Sequence, residues 1–527
     1  MAISEMIKKL RLREKMSQED FASIFSVSRQ SVQKWENGTS TPEISKLVEI
    51  SKHFDISLDM LVLERDKRAS EAILYNSEMK PRYSSIPTWE FYAADIMTEY
   101  QQSYEEGLDI EGYKDLFFSV SKLSASEIKK KLGDVIFEIV SNAPTRKDYK
   151  YIEPSELEAI KATRSEYPIK KSIKLSEKTL QDKIGGAWYG RICGCMLGKT
   201  VEGIRTNELV PFLKETGNYP MHRYIYRKDL TDEICAKYNY PLKNRCFADD
   251  IDGMPVDDDT NYVVLAQLLI EKYGRDFTPF DMSRHWLSCQ PKDAYCTAER
   301  VAFCNFVKGY VPPYSAIMQN PYREWIGAQI RGDYFGYINP GNPELAAEMA
   351  WRDASISHIK NGIYGEMFAS AMIACAAMTD NMEDIIRAGL AQIPESSRLY
   401  EDVMCVVGAY KKGETSEKCF DMIHEKYDEY TGHGWCHTNS NAMIVAASLL
   451  YGEGDYGKSI CMAVQTGFDT DCNGATVGSV IGMAKGIKGV PEYWTEPIKN
   501  TLHTSIFGVG TVKISDCVKK TLSHVKC

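Results

Sequence analysis

The apolar positions of this 527-residue chain recur with helical spacing almost throughout. Ile7, Leu10 and Leu12 make the apolar face of a first helix that is otherwise studded with Lys8, Lys9, Arg11, Arg13 and Lys15. Ser17-Gln18-Glu19-Asp20 opens a second helix in capping-box fashion, with Phe21, Ala22, Ile24 and Phe25 as its buried side. Ser26-Val27 turns the chain, Ser28 caps a third helix from Arg29 to Glu36, and Asn37-Gly38 ends it with a left-handed cap. Thr41-Pro42 predicts a fourth helix with proline at its first position, carrying Ile44, Leu47, Val48 and Ile50. Farther on, Trp89, Tyr92, Ile96, Tyr100 and Tyr104 are spaced as on a helix, and Ser124-x-x-Glu127 opens another whose stripe is Ile128, Leu132, Ile136 and Ile139. Tyr262 to Ile270 is an apolar helix, and Gly474, Gly478 and Gly482, four apart, form a smooth stripe on a last one. Glycine costs about 1 kcal/mol per helical position relative to alanine, so that stripe predicts close approach of a second helix. The expected fold class is all-α.

Composition narrows the class without naming a function. A chain of this length holds two or three domains, and its hydrophobic content of 44% is ordinary for a globular protein. No apolar run is long enough to cross a membrane, and residues 1–9 lack a signal-peptide core. The 15 cysteines are scattered without Cys-x-x-Cys pairing, which points to reduced thiols and a cytoplasmic location. A net charge of −10 argues against general affinity for nucleic acid.

Two acidic turns carry the chemistry. Asp257-Asp258-Asp259-Thr260 precedes the apolar helix, and Gly467-Phe468-Asp469-Thr470-Asp471-Cys472 precedes the glycine-striped one. Carboxylates packed this tightly repel unless water or a cation neutralises them. The ligands are hard oxygens, which suit Mg²⁺, Mn²⁺ or Ca²⁺ better than zinc. At a helix start they are also stabilised by free amides and the helix dipole. One such turn reads as a solvated cap; two, each opening an apolar or small-residue helix, predict a two-metal site. The glycine stripe is expected to bring the second turn down onto the first.

Upstream, Gly185-Gly186-Ala187-Trp188-Tyr189-Gly190-Arg191 through Gly198-Lys199-Thr200-Val201-Glu202 is another tightly packed helix, ending in a loop with Glu202. With these segments, and with Ser357-His358 between them, the chain resembles the ADP-ribosylglycohydrolase family over roughly residues 180 to 490. The resemblance implies two Mg²⁺ ions sharing Asp471. Glu202, Asp469 and Asp471 would serve one, and Asp258, Asp259 and Asp471 the other, with Asp257 as a further oxygen ligand and Mn²⁺ as a substitute ion. Two positions depart from the family pattern. Asp257 stands where the family has Thr or Ser, and Cys472 stands where it has Thr or Ser after the last Asp. A thiol is a poor Mg²⁺ ligand, so Cys472 is expected near the metal but outside the Mg²⁺ ligand set.

The same resemblance implies substrate contacts. The segment Trp325 to Asp333, with Gly327, Gln329 and Arg331, stands where the family wraps phosphates and a ribose, and His358 stands at its ligand-contacting histidine. For His433-Gly434-Trp435-Cys436-His437 two readings stay open: a packed corner, or Trp435 and His437 stacking on a base or ribose.

The first 66 residues have helix-turn-helix geometry and closely resemble the XRE (phage-repressor-like) family, through Ser17-Gln18, Val27 to Ser31, and Trp35-Glu36-Asn37-Gly38. This implies that Gln18 binds a phosphate while Arg29, Gln30, Ser31 and Lys34 face the major groove, with arginine pairing to guanine and glutamine to adenine. A helical interaction module that has lost DNA binding is the competing reading, since charges over the segment roughly cancel.

The expected organisation is a helix-turn-helix domain over 1–66, a linker and helical extension over 67–170, and an all-α ADP-ribosylglycohydrolase-like domain over 171–527. Asn76 to Pro87 reads as linker, and the extension as a piece packed on the hydrolase domain, acting as a dimer contact or a relay. The expected function is Mg²⁺-dependent hydrolysis of an N- or O-glycosidic bond at a ribose in an ADP-ribosylated substrate, by a homodimer that binds DNA. Asp258 and Glu202 are the candidates for activating water or assisting the leaving group. The rival function is a transcriptional regulator whose glycohydrolase-like domain senses ADP-ribose or a related nucleotide-sugar without significant catalysis.

Overall fold

The computed structural model describes residues 3–62, 81–167, 175–238 and 245–525. The described residues are mainly helical, with one short antiparallel hairpin pairing Thr501–His503 with Thr511–Lys513. The chain divides into two compact units, residues 1–85 and 86–527. The extension from Ile86 onward therefore belongs to the same unit as the acidic turns. Residues 76–80 of the expected linker, and the expected boundaries at 66/67 and 170/171, lie outside the described residues.

In the first unit, helices Ile3–Arg13, Gln18–Ile24, Arg29–Glu36, Ile44–His53 and Leu58–Val62 enclose a core of Ile7, Leu10, Phe21, Val32, Leu47 and Ile50. Ser17 and Asp20 form the expected capping box, Ser28 caps the third helix by accepting from the Ser31 amide, and Gly38 takes the left-handed conformation at φ +72°. Three details differ from the pattern. The fourth helix starts at Ile44 behind Glu43, so Pro42 precedes it. Leu12 and Ile24 are exposed. Arg11 is buried and forks onto Glu36 at 2.6 and 3.0 Å. A helix so short has room for three or four inward positions, and this ion pair takes one that the pattern gave to leucine.

In the second unit, Trp89 and Tyr92 sit in short 3₁₀ turns and the α-helix begins only at Ile96, running to Glu105. The later extension helix runs from Glu127 to Asn142 and is capped by Ser126 instead of Ser124; its inner face is Lys129, Gly133, Ile136 and Val140, leaving Ile128 exposed. The extension is held by buried charge: Arg323 binds Glu99 at 2.8 Å and also Glu106, while Gln102 donates to Glu324 at 2.6 Å.

The centre of this unit is a helix pair, Glu177–Lys199 against Thr470–Lys485. Their glycines interlock: a Cβ on Gly186 would sit 2.2 Å from the Gly482 carbonyl oxygen, one on Gly190 2.2 Å from that of Gly478, and one on Gly194 2.0 Å from that of Gly474. The glycine stripe thus packs on the upstream glycine-rich helix, and the second acidic turn meets the first, with Asp471 and Cys472 beside Asp259. Thr438–Tyr451 and Lys360–Ala376, apolar on nearly every side, pack around this pair as fully enclosed helices.

Candidate active site

The helix Asp258–Tyr273 carries the first acidic turn at its start, where the Asp257 side chain accepts from the Asp259 amide at 2.9 Å. The hairpin fixes the approach to it, since Met254 exchanges hydrogen bonds with Thr501 and His503. Two cations from the glycine-rich helix then sort the carboxylates. Arg191, 1% exposed, donates to the Asp259 carboxylate at 3.0 Å, to its carbonyl oxygen at 2.8 Å, and to Asp333 at 2.7 Å. Lys199 Nζ pairs with Asp257 at 2.7 Å. The additional negative charge at position 257 is therefore met within the fold.

The second turn forms the N-terminus of the Thr470–Lys485 helix, entered through Phe468 at φ +59° and capped by Asp469. Asn441 holds it: its Oδ1 accepts from the Asp469 amide at 3.2 Å and from Asn473 at 2.8 Å, while its Nδ2 donates to the Trp435 and His437 carbonyls. Because the two glycine-striped helices are locked in register, Asp471 and Glu202 come together at the same end of the pair. Glu202 is half-buried, and its carboxyl is pushed up to about 9 by the Asp471 charge first, then by burial and by Asp257 and Asp258. Asp258, also half-buried, is pushed up to about 7 by burial and by Asp257 and Asp471. Burial and neighbouring carboxylates also raise Asp259, Asp469 and Asp471.

This surplus of negative charge fits a divalent cation. Among the described residues Asp259 Oδ2 and Asp471 Oδ1 have no hydrogen-bond partner, and Asp259 is 0% and Asp471 3% exposed. Such atoms are costly unless something absent from the polypeptide meets them. Glu202, Asp258, Asp259, Asp469 and Asp471 are the residues that could hold it, with Asp257 tied to Lys199.

The expected substrate contacts are placed less uniformly. Arg331 is fully buried and spends its guanidinium on Glu299 and Asp353 at 3.0 Å each and on Ser357 at 3.1 Å, which leaves no open face for a ligand. Gly327 serves packing: a Cβ there would lie 1.9 Å from Glu299 Oε1. His358 is fully buried and held neutral, burial and Arg331 keeping its pKa well below the usual value. Ser357 accepts from Arg331 and shares a hydrogen bond with His358 Nδ1 at 2.8 Å. Gln329 differs, because both its amide atoms are buried without a partner among the described residues.

The Trp435 segment forms a packed corner. Trp435 Nε1 donates to the Phe468 carbonyl and its ring lies under Arg205, 4.4 Å from the guanidinium carbon. His433, His437 and Glu105 cluster closely enough to suggest a second metal site. Hydrogen bonding argues otherwise. Trp325 Nε1 donates to His433 Nδ1 at 3.2 Å and the Asn439 amide donates to His437 Nδ1 at 3.1 Å, so in each ring Nδ1 is the acceptor, the proton sits on Nε2, and no lone pair is left there for an ion. His433 Nε2 spends that proton on Glu105 at 3.0 Å.

In the first unit, Arg29, Gln30 and Lys34 are exposed on one side of the third helix. Ser31 is half-buried and bonds Ser28 at 2.9 Å. Gln18, expected at a phosphate, donates to Glu36 at 2.7 Å.

Arg191, Lys199 and Asn441 escaped the sequence reading. A signal existed for the first two: they are the cations of the glycine-rich second half of the Glu177–Lys199 helix, one among its glycines and one at its end.

Comparison with known proteins agrees with this organisation. Residues 7–61 match a helix-turn-helix family. A search of curated proteins finds no match. One solved structure, described as an ADP-ribosylglycohydrolase-related protein complex, is 17% identical, with a TM-score of 0.42 over 66% of this chain and 99% of that one. Residues 176–518, well over half of the chain and both acidic turns included, match the ADP-ribosylglycohydrolase family, and the chain belongs to that family.

Proposed function

We propose that residues 86–527 hydrolyse a ribosyl glycosidic bond of an ADP-ribosylated substrate with the help of divalent cations. The observation that carries this reading is the pair of buried, partnerless carboxylate oxygens on Asp259 and Asp471 within a family that acts on such bonds. Divalent cations bound there supply charge neutralisation and a grip on ribose hydroxyls. Asp258 is the candidate proton acceptor, since it is half-buried where Asp259 and Asp471 are enclosed, and so can be reached by water or substrate. Glu202 sits on the same crowd of charge from the opposite helix and is the candidate for assisting the leaving group. Arg191 and Lys199 fix the orientation of Asp259 and Asp257, the residues on either side of Asp258.

The test is ADP-ribose release from a panel of ADP-ribosylated arginine, serine and nucleic-acid compounds, with Mg²⁺ or Mn²⁺ and with a chelator. Release that requires the metal and disappears in Asp258→Asn supports the reading. A full panel without release at any metal concentration overturns it.

A second reading is favoured by the exposed Arg29, Gln30 and Lys34 on an intact helix-turn-helix unit. In it, the glycohydrolase-like unit acts as the ligand sensor of a transcriptional regulator. Binding of ADP-ribose would then change operator affinity by a factor worth about 1–3 kcal/mol, and DNA would change ADP-ribose affinity by the same factor. Equal operator affinity with and without saturating ADP-ribose excludes it.

A further inference from the structure

We propose that Cys472 turns one position of this centre into a mixed oxygen–sulfur site that takes a thiophilic divalent cation, of the Zn²⁺ or Co²⁺ class, in preference to Mg²⁺. The proposal rests on the metal-binding part of the function proposed above and names the ion chemistry that this chain's own residues select.

Asp259, Asp471 and Cys472 each offer one ligand atom, and the three atoms lie within 4.8 Å of one another. The residues are 0%, 3% and 6% exposed, so the thiol is enclosed with the carboxylates. Asp259 Oδ2 and Asp471 Oδ1 are among the buried carboxylate oxygens without a hydrogen-bond partner among the described residues, and the two residues that carry them stand beside the Cys472 sulfur.

Ligand softness then decides the ion. Mg²⁺ demands near-octahedral oxygen coordination and is reluctant to lose water, whereas Zn²⁺ and Co²⁺ accept carboxylate and thiolate together in four-coordinate geometry. A second thiol reinforces the bias. Cys195, fully buried on the glycine-rich helix, forms a comparable trio with Asp257 and Asp259. Asp257 in that trio already holds Lys199, so Cys195 is the lesser candidate ligand. Glu202 and Asp469 offer oxygen alone, so an ion held by them keeps the preference for hard chemistry.

Titration of the metal-free, full-length protein with Co²⁺ tests this, because a thiolate ligand gives a near-ultraviolet charge-transfer band that oxygen ligands do not. The band should appear on titration, disappear in Cys472→Ser and Cys472→Thr, and persist in Cys195→Ser. Loss of a direct ligand should weaken Zn²⁺ binding at least as much as loss of an outer-shell partner does, on the order of tenfold, while Mg²⁺ binding stays equal or tightens. Circular dichroism of both Cys472 variants checks that they are folded. Calorimetric Co²⁺ binding without the band, or an undiminished band in folded Cys472 variants, overturns the proposal and leaves an all-oxygen metal centre standing. Absence of binding by Mg²⁺, Mn²⁺, Co²⁺ and Zn²⁺ alike overturns both this proposal and the metal centre it rests on.

Discussion

Lys199 and Asp257 pair at 2.7 Å, with 22% and 1% of their side chains exposed, and this contact makes the triple-aspartate turn tolerable. Burial alone would lower the Lys199 pKa, but the Asp257 and Asp471 carboxylates outweigh it and hold the ammonium charged. Removing one partner of a buried pair strands the other charge, at a cost of about 3–5 kcal/mol. Lys199→Met should therefore lower the melting temperature markedly in chelator and much less with saturating Mn²⁺, because a cation compensates the same carboxylates. An equal loss in both conditions would mean that Asp257 is remote from the ion.

In the proposed metal centre Asp471 is the carboxylate shared by both cations. It stands next to Cys472, raises the Glu202 pKa more than any other group, and has one buried oxygen without a hydrogen-bond partner among the described residues. Asp471→Ala should abolish divalent-metal binding measured by calorimetry while leaving the helical circular dichroism intact. Undiminished binding of two ions would show that the centre is built elsewhere.

How these carboxylates come together was only partly legible in the sequence. The acidic turns and their helices are readable because apolar periodicity and capping residues are local signals. The glycine stripe was readable as a close approach, but its partner was not: Gly474, Gly478 and Gly482 say that a backbone comes near, and nothing in their spacing says whose. The partner's identity lies in Gly186, Gly190 and Gly194, almost three hundred residues away. Arg331 shows the same limit in the other direction. An arginine in a glycine-rich segment reads equally well as an anion ligand or as a structural ion pair, and only the placement of Glu299, Asp353 and Ser357 around it decides.

The glycine lock gives its own prediction. A methyl group on Gly478 would lie 2.1 Å from the Gly190 carbonyl oxygen, and backbone on both sides leaves nothing flexible to yield. Gly478→Ala should cost at least the 1–3 kcal/mol or so of ordinary overpacking. Because the same helix carries Asp471 and its partner carries Glu202, metal affinity should fall as well. A melting temperature unchanged from the parent's, given about 1 °C per kcal/mol for a unit spanning residues 86–527, would contradict the close contact.

Titration of the acidic centre makes stability depend on pH in a direction opposite to that of ordinary acid denaturation. Glu202 moves from 4.5 to about 9 and Asp258 from 3.8 to about 7 on folding. The folded protein therefore binds more protons than the unfolded chain across that span, and stability falls as pH rises wherever this holds. For the metal-free protein these two groups favour the fold fully below about pH 4, and that contribution is lost as pH rises through 7 for Asp258 and through 9 for Glu202. A divalent cation removes the repulsion that causes the shifts, so its stabilising effect should grow from pH 6 to pH 9. Melting curves at several pH values, with and without Mn²⁺, read this directly. A metal-induced shift that is constant or shrinks over that range would mean that Glu202 and Asp258 do not face the ion.

The first unit separates reading from holding. Arg29 and Gln30 are exposed, whereas Arg11 and Glu36 are buried and bonded twice to each other, with Gln18 as a third member. Base contacts specify, at about 1–3 kcal/mol for each good bidentate pair, while phosphate contacts mainly position. Arg29→Ala with Gln30→Ala should erase sequence preference and leave weak, salt-dependent binding to any duplex. Arg11→Ala should act differently: it leaves Glu36 buried and unpaired, unfolds the unit, and removes both kinds of binding. One such module makes few contacts, so tight binding should require two copies on an inverted repeat. Bandshifts at several salt concentrations, with circular dichroism of residues 1–85 as the control for folding, distinguish the two variants. If the folded Arg29/Gln30 variant still preferred the operator, the third helix would not be the one that reads DNA.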